Sequence, residues 1–327
     1  MENTFSLLSF DSLLDLTSYF TSDKVCKAFL AQYRWGDDVI CPICGEHHCS
    51  SRFDGRYRCN HCHHNFSVTV GTIFENSKVS LVKWFIAMYL ISSHKKGISS
   101  HQLSRDIHVS QKTAWYMLQK IRCLYKQDDS QQFSGVVECD EVYIGGKEKW
   151  KHKSMKTPHT QGRSTKTKTP VFGMVERTFI TNAKGEKEPM SYVHAFVVEK
   201  TDRNTLQPII GQFVAEGSTV MTDELNAYRG LENLGYTHAI VCHGAQEFVN
   251  GDIFTNGIEG FWSHFRRMIT GCYHNVTDEH LQAYIDEACF RWNTRKMDES
   301  ERFAYMFETS IGLVRPNREF ILCEKSA

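Results

Sequence analysis

The chain carries no net charge. Its 38 Lys and Arg balance 38 Asp and Glu over 327 residues, so overall charge gives no sign of a polyanionic partner. Long hydrophobic runs are lacking too. The apolar stretch 84–91 falls short of the roughly 20 residues that span a bilayer, and no membrane partner is expected. No secretory signal is expected either: the opening MENTFSLLSFDSLL is acidic and has no basic n-region. The 12 cysteines are not spaced as a disulfide scaffold. Four form two CxxC pairs, and others (Cys123, Cys139, Cys289) sit in apolar stretches. In a chain this size that pattern reads as an intracellular protein with a metal site.

The length suggests two or three domains, and 41% hydrophobic residues supply a core. Charge is unevenly placed. Residues 1–40 lean acidic through Asp11, Asp15, Asp23, Asp37 and Asp38. Residues 147–168 hold Lys147, Lys149, Lys151, Lys153, Lys156, Arg163, Lys166 and Lys168 against Glu148. Such asymmetry fits a DNA-binding surface. It fits a solvated basic loop equally well.

Cys41-Pro-Ile-Cys44 and Cys59-Asn-His-Cys62 are fourteen residues apart. Two such knuckles give the tetrahedral thiolate shell of one structural Zn²⁺. Between them lies an Asp-Gly turn signal at 54–55. Arg56, Tyr57 and Arg58, then Phe66, Val68 and Val70, alternate as in a β-ribbon. Cys49, His47, His48, His61, His63 and His64 are competing ligands that the spacing disfavours. A redox role needs no second pair at this distance. Catalytic zinc is disfavoured because four thiolates leave no open position.

Residues 80–126 read as three helices. Ser80 opens the first, Gly97 breaks it, Ser99 and Ser100 open the second, and Ser110 caps the third after a turn at His108-Val109. A short helix, a tight turn and a helix beginning Ser-Gln-Lys-Thr are expected to form a helix-turn-helix. Ala114, Trp115, Leu118 and Ile121 would face inward. Gln111, Lys112, Thr113 and Tyr116 would stand at the exposed N-terminal end, where base edges are read. An ordinary three-helix packing module is the alternative.

From about 135 the pattern turns to β. Strands are expected at 136–144, 170–176, 192–199, 218–223 and 238–242, with helices at 205–215 and 249–270. Three strands, a helix, then alternating strands and helices is the order of a ribonuclease H-like α/β fold. Asp140 in VVECDEVYIGG and Asp223 in TVMTDELNAY end β-branched runs, and Glu259 in TNGIEGFWSHFRR lies on an amphipathic helix. That ordered triple suggests a two-metal site for phosphodiester chemistry, because hard divalent cations want carboxylate oxygens. Glu141 and Glu224 follow the aspartates and point to the opposite face. Asn256 and Arg266 share the helical face of Glu259, and Arg266 is placed to hold a phosphate or to be a surface charge. Trp262 and Phe265 are expected to pack inward.

Together, CPIC and CNHC, the helix-turn-helix, CDEVYIGG, TDELNAY and TNGIEGFWSHFRRMITG resemble the DDE transposases of bacterial insertion sequences. The resemblance is to the subgroup with an N-terminal zinc ribbon, related to the eukaryotic Merlin elements, and runs from about residue 20 to about 296. It implies five segments: a helical segment 1–38, a zinc ribbon 39–76, a helix-turn-helix domain 77–128, a catalytic domain 133–296 with a basic insertion 145–169, and a tail 297–327. It implies Asp140, Asp223 and Glu259 as ligands of two Mg²⁺ or Mn²⁺. Asn256, Arg266 and His243 take supporting places. Arg266 stands where the family usually has Lys and Phe254 where it often has His. Some relatives use Asn as the third residue, which makes Asn256 a competitor of Glu259. DNA contacts are expected from Gln111, Lys112, Thr113, Tyr116, Lys147, Lys149, Lys151, Lys153, Arg266 and Arg267. The implied reaction is hydrolysis at a transposon end, freeing a 3′-hydroxyl that then attacks target DNA. Its partners would be double-stranded DNA and a second copy or larger synaptic assembly, in the cytoplasm at the nucleoid. A non-catalytic DNA-binding regulator derived from such an enzyme, or a ribonuclease H-like structure-specific nuclease, are the alternatives.

Overall fold

The structure is a computed structural model that describes residues 10, 12–127, 132–145, 152–158, 164–181, 184–241 and 255–312. The chain divides into two compact units, Met1–Tyr125 with Lys296–Ala327, and Lys126–Arg295.

The first unit holds a small ribbon and a set of helices. Helices α1 (Leu13–Tyr19) and α2 (Asp23–Trp35) start where Ser12 and Ser22 accept the N–H groups of Asp15 and Val25, the usual way to satisfy an orphan N-terminal donor. The ribbon is a three-stranded antiparallel sheet of β1 (Cys49–Ser51), β2 (Tyr57–Cys59) and β3 (Asn65–Phe66). The alternation after Phe66 suggested a longer third strand. It ends there because Ser67, Thr69 and Thr72 turn the backbone with their hydroxyls: Ser67 Oγ accepts from Thr69 N–H, and Thr72 Oγ1 donates to Thr69 O.

Next come α3 (Leu81–Ser93), α4 (Ser100–Asp106) and α5 (Gln111–Arg122), each capped by the serine before it. Helix α3 is apolar around most of its circumference because α1, α2, α5 and α9 (Glu299–Gly312) all pack on it. The segment 297–327, expected as a tail, therefore contributes a packed helix. Edge-to-face rings (Phe20 on Phe29 and Phe85, and Phe307 on Phe29 and Phe85) fill the centre. The last helix looked like a tail because its signal, Phe303 and Phe307 among acids, is short. On α5, Ala114, Leu118 and Ile121 are buried as expected. Trp115 is only half-buried, and Met117 takes the inward place.

The second unit is a five-stranded sheet. Its strands are β4 (Val136–Gly145), β5 (Lys168–Thr181), β6 (Lys187–Val197), β7 (Thr219–Thr222) and β8 (Thr237–Ile240), in the order β6-β5-β4-β7-β8. The β4–β5 and β5–β6 pairs are antiparallel, while β4–β7 and β7–β8 are parallel. Helix α6 (Arg203–Phe213) covers one face through Val137, Cys139, Phe172 and Met174. Helices α7 (Asn256–Met268) and α8 (Asp278–Asn293) cover the other, through Val142, Val171, Val175, Val193 and Ala195.

Period-two alternation on β4 then decides where each acid goes. Asp140 lies on the α7 face and Glu141 on the α6 face. One strand thus separates two consecutive carboxylates.

Candidate functional site

Asp140 and Asp223 are brought together by strand register. Strands β4 and β7 run parallel, with Glu138 opposite Met221 as the last pair. Asp140 and Asp223 each lie two residues beyond that pair. They are neighbours just past the end of the β4–β7 pairing, while β4 itself runs on, paired with β5, to Gly145. Asp223 Oδ1 accepts from the N–H of Leu225 (2.9 Å), which fixes the turn after β7. Behind it, Thr222 donates to the carbonyl of Asp223 (2.8 Å) and contacts His238 Nε2 (2.9 Å).

A cleft of about 410 Å³ opens beside Asp140. Asp140, Glu141, Glu259, Trp262, Ser263, Arg266, Arg267 and Thr270 line it. Glu259 lies in the first turn of α7 and accepts from Thr255 Oγ1 (3.3 Å). The cleft therefore joins Asp140 and Glu259 to two arginines about two turns along the same helix. Asp223 adjoins Asp140 but does not line the cleft. Asn256 is exposed and outside the cleft lining.

Burial pushes the Asp140 carboxyl up to about 7, with the negative charges of Glu141 and Asp223 adding to the effect. The indole N–H of Trp262 donates to Asp140 Oδ2 (3.1 Å) and pulls the other way. Trp262 does pack into the core as expected, at 3% exposure, yet its polar edge reaches the acid. The sequence hides this contact because a Trp on an apolar helix face reads as core alone. Glu141 is held from the far side by the hydroxyl of the buried Tyr228 (2.9 Å).

Gly173 makes room for the indole. It pairs with Asp140 across β4 and β5, and a Cβ there would lie 2.6 Å from Trp262 Cζ2. Gly173→Ala is expected to overpack this contact and lower stability by about 1–3 kcal/mol. Chemical denaturation of the purified protein checks this. A variant as stable as wild type would contradict the packing account.

The second cluster is the ribbon. The ligand atoms of Cys41, Cys44, Cys59 and Cys62 lie within 4.8 Å of one another. Among the described residues this is the one such group of metal-ligating side chains; Asp140, Asp223 and Glu259 are not gathered so closely. The backbone N–H of Cys62 donates to Cys59 Sγ (3.4 Å) and holds that thiol down to about 6, which favours the thiolate a metal needs. His47 is instead paired with Asp38 (2.6 Å).

Other expected residues fall as follows. Gln111 and Lys112 are exposed at the start of α5, and Thr113 is half-buried. Gln111 Nε2 donates to Ser100 Oγ (2.8 Å), tying α5 to α4. Tyr116 is half-buried under the Lys120 ammonium (5.2 Å). Lys153 is exposed in a short 3₁₀ turn. Lys147, Lys149, Lys151 and His243 lie outside the described residues, as does Phe254. No described helix is long and apolar enough to cross a membrane.

Residues 132–293 match the family model of the ISXO2-like transposase domain. Residues 21–65 match that of the transposase zinc-ribbon domain. An uncharacterized protein in transposable element ISH50 of Halobacterium salinarum is 30% identical over 304 residues, 89% of this chain and 98% of that protein. An uncharacterized transposase-like protein of Haemophilus influenzae is 30% identical over 105 residues, 32% of this chain and 84% of its own length.

Proposed function

This chain belongs to the ISXO2-like transposase family with an N-terminal zinc ribbon, and we propose that it binds transposon ends, cleaves them by metal-dependent hydrolysis and joins the freed 3′-hydroxyl to target DNA. The setting of Asp140 carries the reading. A carboxyl pushed up to about 7 by burial and by two neighbouring acids, in a cleft rimmed by arginines, is a site that calls for cationic ligands. The strand order, with three antiparallel strands followed by two parallel ones, supports a ribonuclease H-like core.

Two Mg²⁺ or Mn²⁺ held by Asp140, Asp223 and Glu259 would supply the clamp on the attacking and leaving oxygens. The protein's own groups do the rest. Trp262 and Gly173 fix the Asp140 rotamer. Arg266 and Arg267 offer charge-assisted hydrogen bonds to DNA phosphates along the cleft. No side-chain nucleophile is required, since water and then the 3′-hydroxyl attack in turn. We take Glu259 rather than Asn256 as the third residue, a choice supported by its place beside Asp140 in the lining of the cleft.

A structural Zn²⁺ on Cys41, Cys44, Cys59 and Cys62 would hold the ribbon, 39–76. Segment 77–128 would read the terminal repeat as a helix-turn-helix, 133–296 would carry the chemistry, and the basic insertion 145–169 would grip flanking or target DNA. Cutting both ends together asks for a dimer or larger assembly, and the work would be done at the nucleoid in the cytoplasm.

The raised Asp140 carboxyl has a pH signature. Its pKa is higher folded than unfolded, so between about 4 and 7 the folded state binds the extra proton. Without metal, this acid's contribution to stability therefore falls as pH rises through that window, then levels off. A cation must displace the same proton. At limiting Mg²⁺, affinity should drop up to about tenfold for each pH unit below about 7. Mn²⁺ titrations from pH 5.5 to 8 test the reading; affinity independent of pH, or no uptake, would contradict it.

Sequence reading and general grip should separate. Lys112→Ala or Gln111→Ala is expected to cut discrimination between the true end and random DNA by about 1–3 kcal/mol. Neutralising Lys151 and Lys153 should weaken both and flatten the salt dependence. Binding isotherms at several salt concentrations decide it; equal losses on both DNAs from both sets would refute the division.

A further inference from the structure

Glu138 is one of the most buried acids among the described residues, 1% exposed. It lies two residues before Asp140 on the same face of β4. One carboxylate oxygen, Oε1, accepts from Arg177 Nε on β5 (2.6 Å). The other, Oε2, accepts from the backbone N–H of Ile258 (2.9 Å). Ile258 is in the first turn of α7, the helix that carries Glu259.

That turn lacks its ordinary cap. Thr255 is the N-cap of α7, but its side chain makes no capping hydrogen bond. Its hydroxyl goes to Glu259 instead (3.3 Å). A helix start leaves orphan N–H groups that need partners, and a negative charge there is favoured by the helix dipole. Glu138 supplies both from the central strand. Gly257 completes the joint: a Cβ at that position would lie 2.8 Å from Glu138 Oε1. The Gly of TNGIEG and the first Glu of VVECDEV are thus two halves of one contact.

We propose that Glu138 is a positioning residue: by capping α7 from the strand that bears Asp140, it sets where Glu259 stands relative to Asp140 and so tunes cation binding. The inference rests on the metal-dependent reading of the site. It needs no contact between Glu138 and the cation or DNA. It follows from one strand holding both an acid of the site and the anchor of the helix that brings another.

Glu138→Gln keeps the volume but removes the charge that pairs with Arg177 and caps the helix. Gly257→Ala leaves the carboxylate in the chain and crowds it away from Ile258. Each is expected to weaken Mn²⁺ binding, followed by electron paramagnetic resonance, by about 10–100-fold. Each should also speed hydrogen exchange at the Ile258 amide. Because both break one joint, the double variant should be little worse than either alone. Binding of end DNA in EDTA should stay at wild-type level. Ile210→Ala, in the core on the opposite face, controls for loss of stability and should leave Mn²⁺ affinity unchanged. Wild-type Mn²⁺ affinity in Glu138→Gln and Gly257→Ala would overturn the positioning role. So would an equal loss in Ile210→Ala at matched stability. If wild type itself takes up no Mn²⁺ at this site, the metal reading fails first and this inference with it.

Discussion

Asp223→Asn is expected to abolish both end cleavage and strand joining while leaving end binding in EDTA close to wild type. The substitution keeps volume and can still accept from the Leu225 N–H that Asp223 now accepts. It removes the charge that stands beside Asp140 and helps push its carboxyl up. Losing a metal-holding carboxylate forfeits several kcal/mol of transition-state charge stabilisation. At about 1.4 kcal/mol per tenfold, that is a fall of roughly a thousandfold or more. Both reactions should fail together if, as proposed, one site performs both. Single-turnover assays on a labelled end measure the loss. Glu259→Gln should behave alike. If Glu259→Gln keeps substantial activity while Asn256→Ala is dead, the third acid is misassigned despite its place in the cleft.

Removing the ribbon metal should unfold the ribbon and spare the sheet unit. The ribbon has almost no apolar core: its buried cluster is Cys41, Cys59 and Phe66, edged by Trp35, Tyr57 and Val70. Two of the three buried residues are expected zinc ligands. Strands of two and three residues cannot hold themselves together at that size. In such modules metal binding is the folding free energy, about 10–16 kcal/mol for structural zinc near pH 7. Cys59→Ser should therefore bring zinc content from one per chain to near zero and abolish amide protection in the ribbon. End affinity should fall as well. Protection in β4 and β5 should persist, since their core of Val142, Val171, Val175 and Phe261 is built without the ribbon. Wild-type protein prepared without chelator yet free of zinc would contradict this.

Much of the architecture was legible along the chain. The CxxC spacing, the serines opening α3, α4 and α5, and the β-branched runs of β4 and β7 are local signals, and their elements fall within a few residues of the expected places. Strand alternation alone put Asp140 and Glu141 on opposite faces of β4, although both reach the lining of the cleft. What stayed hidden depends on contacts distant in sequence. The Trp262 to Asp140 bond joins residues 122 apart, and the Glu138 to Ile258 bond joins residues 120 apart. Neither residue type advertises its partner. Gly173 and Gly257 are the nearest thing to a signal, since each keeps a small residue where another element approaches closely. Helix α9 was missed because its apolar residues are few and its partner, α3, lies some two hundred residues upstream.

In the proposed function, Asp140, Asp223 and Glu259 form a cation-dependent phosphoryl-transfer site acting on DNA ends. The most direct measurement incubates the purified full chain with a labelled candidate terminal repeat, with and without Mg²⁺, and maps every nick to the nucleotide. A Mg²⁺-dependent cut at the transposon end leaving a 3′-hydroxyl, absent with Asp223→Asn, is the expected result. Tight binding with no cut under any divalent cation, or equal cutting by Asp140→Asn, Asp223→Asn and Glu259→Gln, would contradict it.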